Sequence, residues 1–131
     1  MSISAGSKIK VFIIDDNIAA RSIIAGIVKN EDDIEIVGEA GTGQGGIIML
    51  GDVMPDVIML EATVSGGMLL NDIIKEIRNV TPDAKIIICA DAALTSSIPE
   101  ITQYGIMDFV TKPFKKNMLL RSIRAAAEGD E

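Results

Sequence analysis

Lys10-Val11-Phe12-Ile13-Ile14-Asp15-Asp16 is an apolar run of strand length that stops abruptly on two carboxylates. A run that is apolar at successive positions belongs to a strand covered on both faces, as in a parallel sheet. The same pattern recurs along the chain. Ile34 to Val37, Val57 to Leu60, Ile86 to Cys89 and Asp108 to Val110 read as four further strands. The segments between them have helical character. Ile18 to Lys29 carries Ile23, Ile24, Ile27 and Val28 at helical spacing, and Gly43 to Leu50 is a short, glycine-laden helix. Leu69 to Arg78 turns Ile73, Ile74 and Ile77 inward and Lys75, Glu76 and Arg78 outward. Glu100 to Tyr104 reads as a short helix because Pro99 suits a first helical position, and Lys115 to Ala127 as the last helix.

Five strands alternating with helices predict an α/β fold: a doubly wound parallel sheet in three α/β/α layers. Its crossovers are expected to be right-handed. In such sheets ligands bind beyond the carboxyl ends of the strands. The residues at those ends are Asp15 and Asp16 after strand one, Glu61 after strand three, Ala90 and Asp91 after strand four, and Lys112 after strand five. Asp15, Asp16 and Glu61 thus face one ammonium. Three carboxylates in one crevice repel each other unless a cation joins them. Mg²⁺ is one answer and Lys112 is another.

Composition narrows the function classes. The chain has 131 residues, which fits a single domain over 1–131, with a core over about 8–127, a short N-terminal tail and an acidic C-terminal tail. The apolar runs are far below the roughly 18 residues of a membrane helix, and residues 1–8 lack the apolar stretch of a signal peptide, so a cytoplasmic protein is expected. A net charge of −7 argues against a basic nucleic-acid face. His is absent, which removes His-based triads, His phosphotransfer and His metal ligation. The single Cys89 excludes a disulfide framework and reads as a small buried hydrophobe. The seven Met read as core filler. Gly41-Thr42-Gly43-Gln44-Gly45-Gly46 lacks the lysine of a P-loop and reads as a flexible turn and poor helix start.

The chain resembles the receiver domain of response regulators, the CheY-like family, from about Lys8 to Ala127. The resemblance rests on Ile13-Ile14-Asp15-Asp16, Val37-Gly38-Glu39-Ala40 with Gly43, Pro55-Asp56-Val57-Ile58-Met59-Leu60, and Asp108-Phe109-Val110-Thr111-Lys112-Pro113-Phe114. It implies a flavodoxin-like fold with strand order 2-1-3-4-5, a cis Lys112–Pro113 bond, and a Mg²⁺-assisted aspartyl phosphorylation site. By this analogy the metal ligands are Asp16, Glu61 and the Thr63 carbonyl, with Asp15 acting mostly through water. Lys112 is the phosphate-pairing lysine, and Phe109 holds the aromatic switch position. The sequence departs from the family pattern in three places. Glu61 stands where the family has its phosphoacceptor Asp. Ala90 stands where it has the switch Ser or Thr. Val64-Ser65-Gly66-Gly67-Met68 replaces its Met-Pro-x-Met-Asp-Gly loop.

These departures shape the expected function. The extra methylene of Glu61 displaces its carboxylate by about 1.5 Å. An error of about 1 Å in reacting geometry costs around a hundredfold in rate. Ala90 has no hydroxyl to donate to a phosphate. The longer carboxylate is instead expected to pair directly with Lys112, an imperfect mimic of the phosphorylated state. The expectation is a stand-alone receiver in two-component, phosphorelay signal transduction. It would be a protein-interaction module and not an enzyme, with no organic cofactor and no direct nucleic-acid or membrane partner. The resemblance brings in a sensor histidine kinase or a downstream signalling protein as partner. It also brings in a homodimer through the face of helix four, strand five and helix five, although Leu119, Leu120 and Ile123 on the last helix can equally pack on the sheet. The alternatives are a Mg²⁺-dependent receiver still phosphorylated at Glu61, and a flavin carrier on the same fold. The flavin reading lacks a Trp or Tyr near the strand-three loop, and no nucleophile–base pair supports an enzyme.

Overall fold

The computed structural model describes residues 7–63, 68–92 and 105–129. In chain order these form β1 (Ile9–Ile14), α1 (Ile18–Val28), β2 (Ile34–Ala40), α2 (Gly43–Val53), β3 (Val57–Glu61), α3 (Leu70–Val80), β4 (Lys85–Asp91), β5 (Asp108–Lys112) and α4 (Lys116–Glu128). The strands make one parallel sheet in the order β2-β1-β3-β4-β5, the flavodoxin-like arrangement expected. The short helix expected over Glu100 to Tyr104 lies outside the described residues, so α4 here is the last helix of the sequence reading.

The period of two along a strand sorts the core into two halves. On β1, Val11 and Ile13 point to one face, where they meet Ile24 and Val28 of α1 and Leu119 and Ile123 of α4. Phe12 and Ile14 point to the other, against Leu50 of α2 and Ile73, Ile74 and Ile77 of α3. Leu119, Leu120 and Ile123 are therefore core residues. No described helix is long and apolar enough to cross a membrane.

Three side-chain expectations are corrected. Ile23 is exposed, and the buried stripe of α1 is Ala20, Ile24 and Val28, spaced by four. Met59 is buried, but Met49, Met54, Met107 and Met118 are exposed, so methionine is not mainly core filler. Met54 ends α2 in the left-handed conformation (φ 52°). The glycines of α2 are sites of close approach rather than a loose helix start. A Cβ on Gly46 would lie 2.6 Å from Ile14 Cδ1, and one on Gly43 would lie 2.6 Å from Ile73 Cδ1. Thr42 caps this helix, its Oγ1 accepting from the Gly45 amide at 2.9 Å.

Most elements run one to three residues past the apolar runs. β2 continues through Gly38, Glu39 and Ala40, and β5 through Thr111 and Lys112. Ladder pairing with a neighbouring strand carries these residues, whatever their polarity. These extensions place the polar strand ends that build the site.

Candidate functional site

Register fixes the geometry of the crevice. Ile14 pairs with Leu60, so Asp15 emerges level with Glu61 on the adjacent strand. Glu61 pairs with Cys89 and Cys89 with Val110, so Lys112 starts two residues farther along β5. β4 lies between β3 and β5, and two strand spacings separate their backbones by roughly 10 Å. Two long side chains close that gap. The Lys112 ammonium reaches Glu61 Oε1, the direct pair expected from the sequence, and lies 3.0 Å from Asp15 Oδ2. It also sits 5.9 Å from the Phe114 ring centroid, at the outer limit of a cation–π contact.

The remaining carboxylate oxygens of the two buried acids have donors of their own. Asp15 Oδ1 accepts from the Asn17 amide at 2.9 Å. Glu61 Oε2 accepts from the Thr63 hydroxyl at 2.8 Å, with the Thr63 amide at 3.4 Å. Asp15 and Glu61 are both buried, and Asp16 is exposed at the rim. One oxygen from each of Asp15, Asp16 and Glu61 falls within a cluster no wider than 4.8 Å.

The two buried acids titrate in opposite directions. For Glu61, burial pushes the carboxyl upward, but the Lys112 ammonium and the Thr63 donors outweigh it and hold the group below its usual range. For Asp15, burial wins over the Asn17 amide and Lys112, and the negative charge of Glu61 adds to it, so the carboxyl is pushed up. Burial lowers the Lys112 pKa, yet its two carboxylate partners more than restore it and leave it raised. Of the two carboxylates, Glu61 makes the closer contact with the ammonium. Cys89, beneath them, is fully buried, and its thiol is pushed far up, which leaves it inert.

The structure brings Asp15, Asp16, Glu61, Thr63 and Lys112 together. Ala90 lies buried on β4, paired with Thr111 next to Lys112. Phe109 is partly buried against the α2/α3 half of the core. The Lys112–Pro113 bond is cis. Three contributors escaped the sequence reading. Asn17 both caps α1, accepting from the amides of Ala19 and Ala20, and fixes Asp15 through its own amide. The Thr63 hydroxyl donates to Glu61, a role separate from the metal-ligand role expected of the Thr63 carbonyl. Arg21 donates to the Asp15 carbonyl at 2.5 Å. An Asn directly after an acidic pair and before a helix is a signal that could have revealed the first.

Comparison with known proteins identifies the family of this fold. The family model of the response regulator receiver domain matches residues 11–124. The chemotaxis protein CheY of Listeria monocytogenes is 30% identical over 120 residues, covering 92% of this chain and 99% of CheY. The CheY of Thermotoga maritima is 28% identical, covering 91% and 98%. Among solved structures, the response regulator domain of Thermotoga maritima CheB superposes with a TM-score of 0.83 at 24% identity, covering 95% and 99% of the two chains. The REC domain of Salmonella RcsB, solved in the presence of phosphomimetic BeF3-, gives 0.85 at 19%, covering 95% and 92%. With its fold and its sequence both of this type, the chain belongs to the response regulator receiver domain family.

Proposed function

We propose that this chain is an atypical receiver, a cytoplasmic binding module of two-component signalling that aspartyl phosphorylation does not control. One observation supports this above the others: the ammonium that would pair with a phosphoryl group is already held by Glu61 and Asp15. The Glu61–Lys112 pair takes the place of the phosphate-bound state, and Ala90 has no hydroxyl with which to report a phosphate to Phe109. The chain itself performs no catalysis. It signals through contacts with a protein partner, a sensor histidine kinase or a downstream protein, or with a second copy through the face that includes β5 and α4.

The pocket also suits Mg²⁺. Its donors are hard oxygens, and three carboxylates against one lysine leave a net charge of −2 (−3 + 1), which a divalent cation neutralises. Asp16, Glu61 and the Thr63 carbonyl would hold the ion, with Asp15 in support. Bound there, Mg²⁺ supplies Lewis-acid neutralisation of charge on phosphoryl oxygens. The chain's own residues orient the carboxylates and set their protonation.

Titration with Mg²⁺ and beryllofluoride, followed by amide NMR shifts, tests the reading. The expected result is no beryllofluoride-dependent shift at Lys112 or Phe109. The double reversion Glu61→Asp with Ala90→Thr is expected to respond fully. Shifts in the parent chain that run from Glu61 and Lys112 to Phe109 would show instead a switch still open to phosphate.

A further inference from the structure

We propose that Arg21 is a positioning residue for the acidic pocket, one that sets the aim of Asp15-Asp16 by holding the Asp15 backbone carbonyl. The inference rests on the reading of that pocket as a cation site.

β1 ends at Ile14, so the peptide groups of Asp15 leave the sheet ladder and need partners elsewhere. The Asp15 amide donates to the Ala40 carbonyl at 3.0 Å, at the end of β2. The Asp15 carbonyl accepts from Arg21 Nη1 at 2.5 Å. Arg21 Nε meanwhile donates to Glu39 Oε1 at 3.1 Å, so the guanidinium spans from the acidic turn to the end of the edge strand. The side chain is only 18% exposed, which separates it from an ordinary solvated helix arginine. The peptide that carries the clamped carbonyl is the one that orients Asp16. No side-chain hydrogen bond fixes the Asp16 carboxylate among the described residues, so the backbone alone directs it into the cluster with Asp15 and Glu61. Only a guanidinium serves both anchors at once, because its donors are fixed in a fork while an ammonium is a single point.

Two roles for Arg21 predict opposite signs. If it acted only as a nearby positive charge, its removal would strengthen binding of a cation. If it positions the ligands, its removal weakens that binding, as loss of outer-shell partners of metal ligands typically does by about 10–100-fold.

Mg²⁺ alone is the probe, titrated into the full chain and read by the amide shifts of Asp16, Asn17 and Thr63. Arg21→Met is expected to weaken Mg²⁺ binding by about tenfold or more. Arg21→Lys, which keeps the charge and loses one anchor, is expected to fall between it and the parent. In the metal-free protein, the Asp16 and Asn17 amides of Arg21→Met should already be displaced. Arg124→Met, remote from the pocket, controls for general loss of stability and should leave the affinity unchanged. Unchanged or tighter Mg²⁺ binding in Arg21→Met overturns the positioning role while leaving the cation site standing. A parent chain that binds no Mg²⁺ at millimolar concentration overturns the site itself, and with it the role given to Arg21.

Discussion

Opposite ends of the sheet carry the same ionic composition, one cation between two carboxylates. At the carboxyl ends of the strands, Lys112 sits between Glu61 and Asp15. At the amino ends, Arg124 of α4 sits between Glu31 and Asp33, with contacts of 2.7 and 2.8 Å. Burial separates them. Asp15 and Glu61 are 2% and 7% exposed, whereas Arg124 and Asp33 are 40% and 48% exposed. Water screens the second cluster and leaves a fastener between α4 and the α1–β2 turn. In the first, burial pushes both carboxyls up; Lys112 and the Thr63 donors outweigh it at Glu61, which ends lowered, while burial prevails at Asp15, which ends raised. The same three charges make a surface staple at one end and a buried pocket, the proposed cation site, at the other.

The largest expected effect is at Lys112. Removing the cation leaves two buried carboxylates facing each other without compensation. In a fully buried pair such a loss costs about 3–5 kcal/mol, and the partial exposure of Lys112 places Lys112→Met near the lower end, at about 3 kcal/mol. Urea unfolding without divalent ions measures it. Added Mg²⁺ should recover part of the loss, since a second cation then answers the same charges. A cost as small as that of an exposed pair would mean that the two ends are energetically alike, and the contrast would fail.

Asp15→Asn has the opposite sign. A carboxyl whose pKa the fold raises is held in a place that disfavours its charge at neutral pH. The neutral amide keeps an oxygen for the Asn17 amide and removes the repulsion from Glu61. The variant should be more stable than the parent in the absence of metal, by about 1 kcal/mol, or roughly 4 °C in Tm. Calorimetry with and without Mg²⁺ checks it, and the gain should shrink when the ion is present. A loss of stability without metal would mean that the contact with Lys112 outweighs the crowding of the two acids.

The contrast between the two ends also explains what the sequence made legible. The five strands could be read because both faces of a parallel sheet are buried and their apolar runs are nearly unbroken, as at Val57 to Leu60. The site could be read because strand ends converge on one crevice, which brought Asp15, Asp16, Glu61 and Lys112 together on paper and in space. The misses have a different origin. Ile23 and Met118 are apolar but exposed, and hydropathy alone does not say which side of a helix faces the sheet. Gly43 and Gly46 looked like weak helix formers, but the ends of Ile73 and Ile14 decide their use. Arg21 drew no notice in the sequence because its partners are a backbone carbonyl and a residue on another strand. The Arg124 cluster spans more than ninety positions and leaves no local pattern.

At the exposed end the effects should be modest. Arg124→Met removes three hydrogen bonds, two to Asp33 and one to Glu31, but the freed carboxylates return to water. The expected cost is about 0.5–1 kcal/mol, the upper part of the range for exposed pairs because the contacts form a small network. Raising salt should erode that stabilisation, while the buried Lys112 cluster should hardly respond. Chemical denaturation of both variants at low and high salt compares the two ends directly.

The smallest effect is the pH dependence of that exposed cluster. The hydrogen bond from Arg124 holds the Asp33 carboxyl below its usual range. A lowered folded-state pKa means that the unfolded chain binds the proton more readily. The stabilisation is therefore fully present above the unfolded value of about 3.8 and is lost as pH falls through the lower folded value. Half of the Asp33 side chain faces water, so the coupling in play is about 0.5 kcal/mol. Glu61 and Asp15 titrate in the same acid range with opposite signs, and the total stability curve would blur all three. A double-mutant cycle of Asp33→Asn with Arg124→Met isolates the pair. Its coupling energy should be positive at about pH 6 and fall away as pH drops below the ordinary carboxylate range. A coupling that persists unchanged at the lower pH would mean that Arg124 holds α4 through packing of its stem rather than through charge, and the exposed end would then not be an ionic counterpart of the pocket at all.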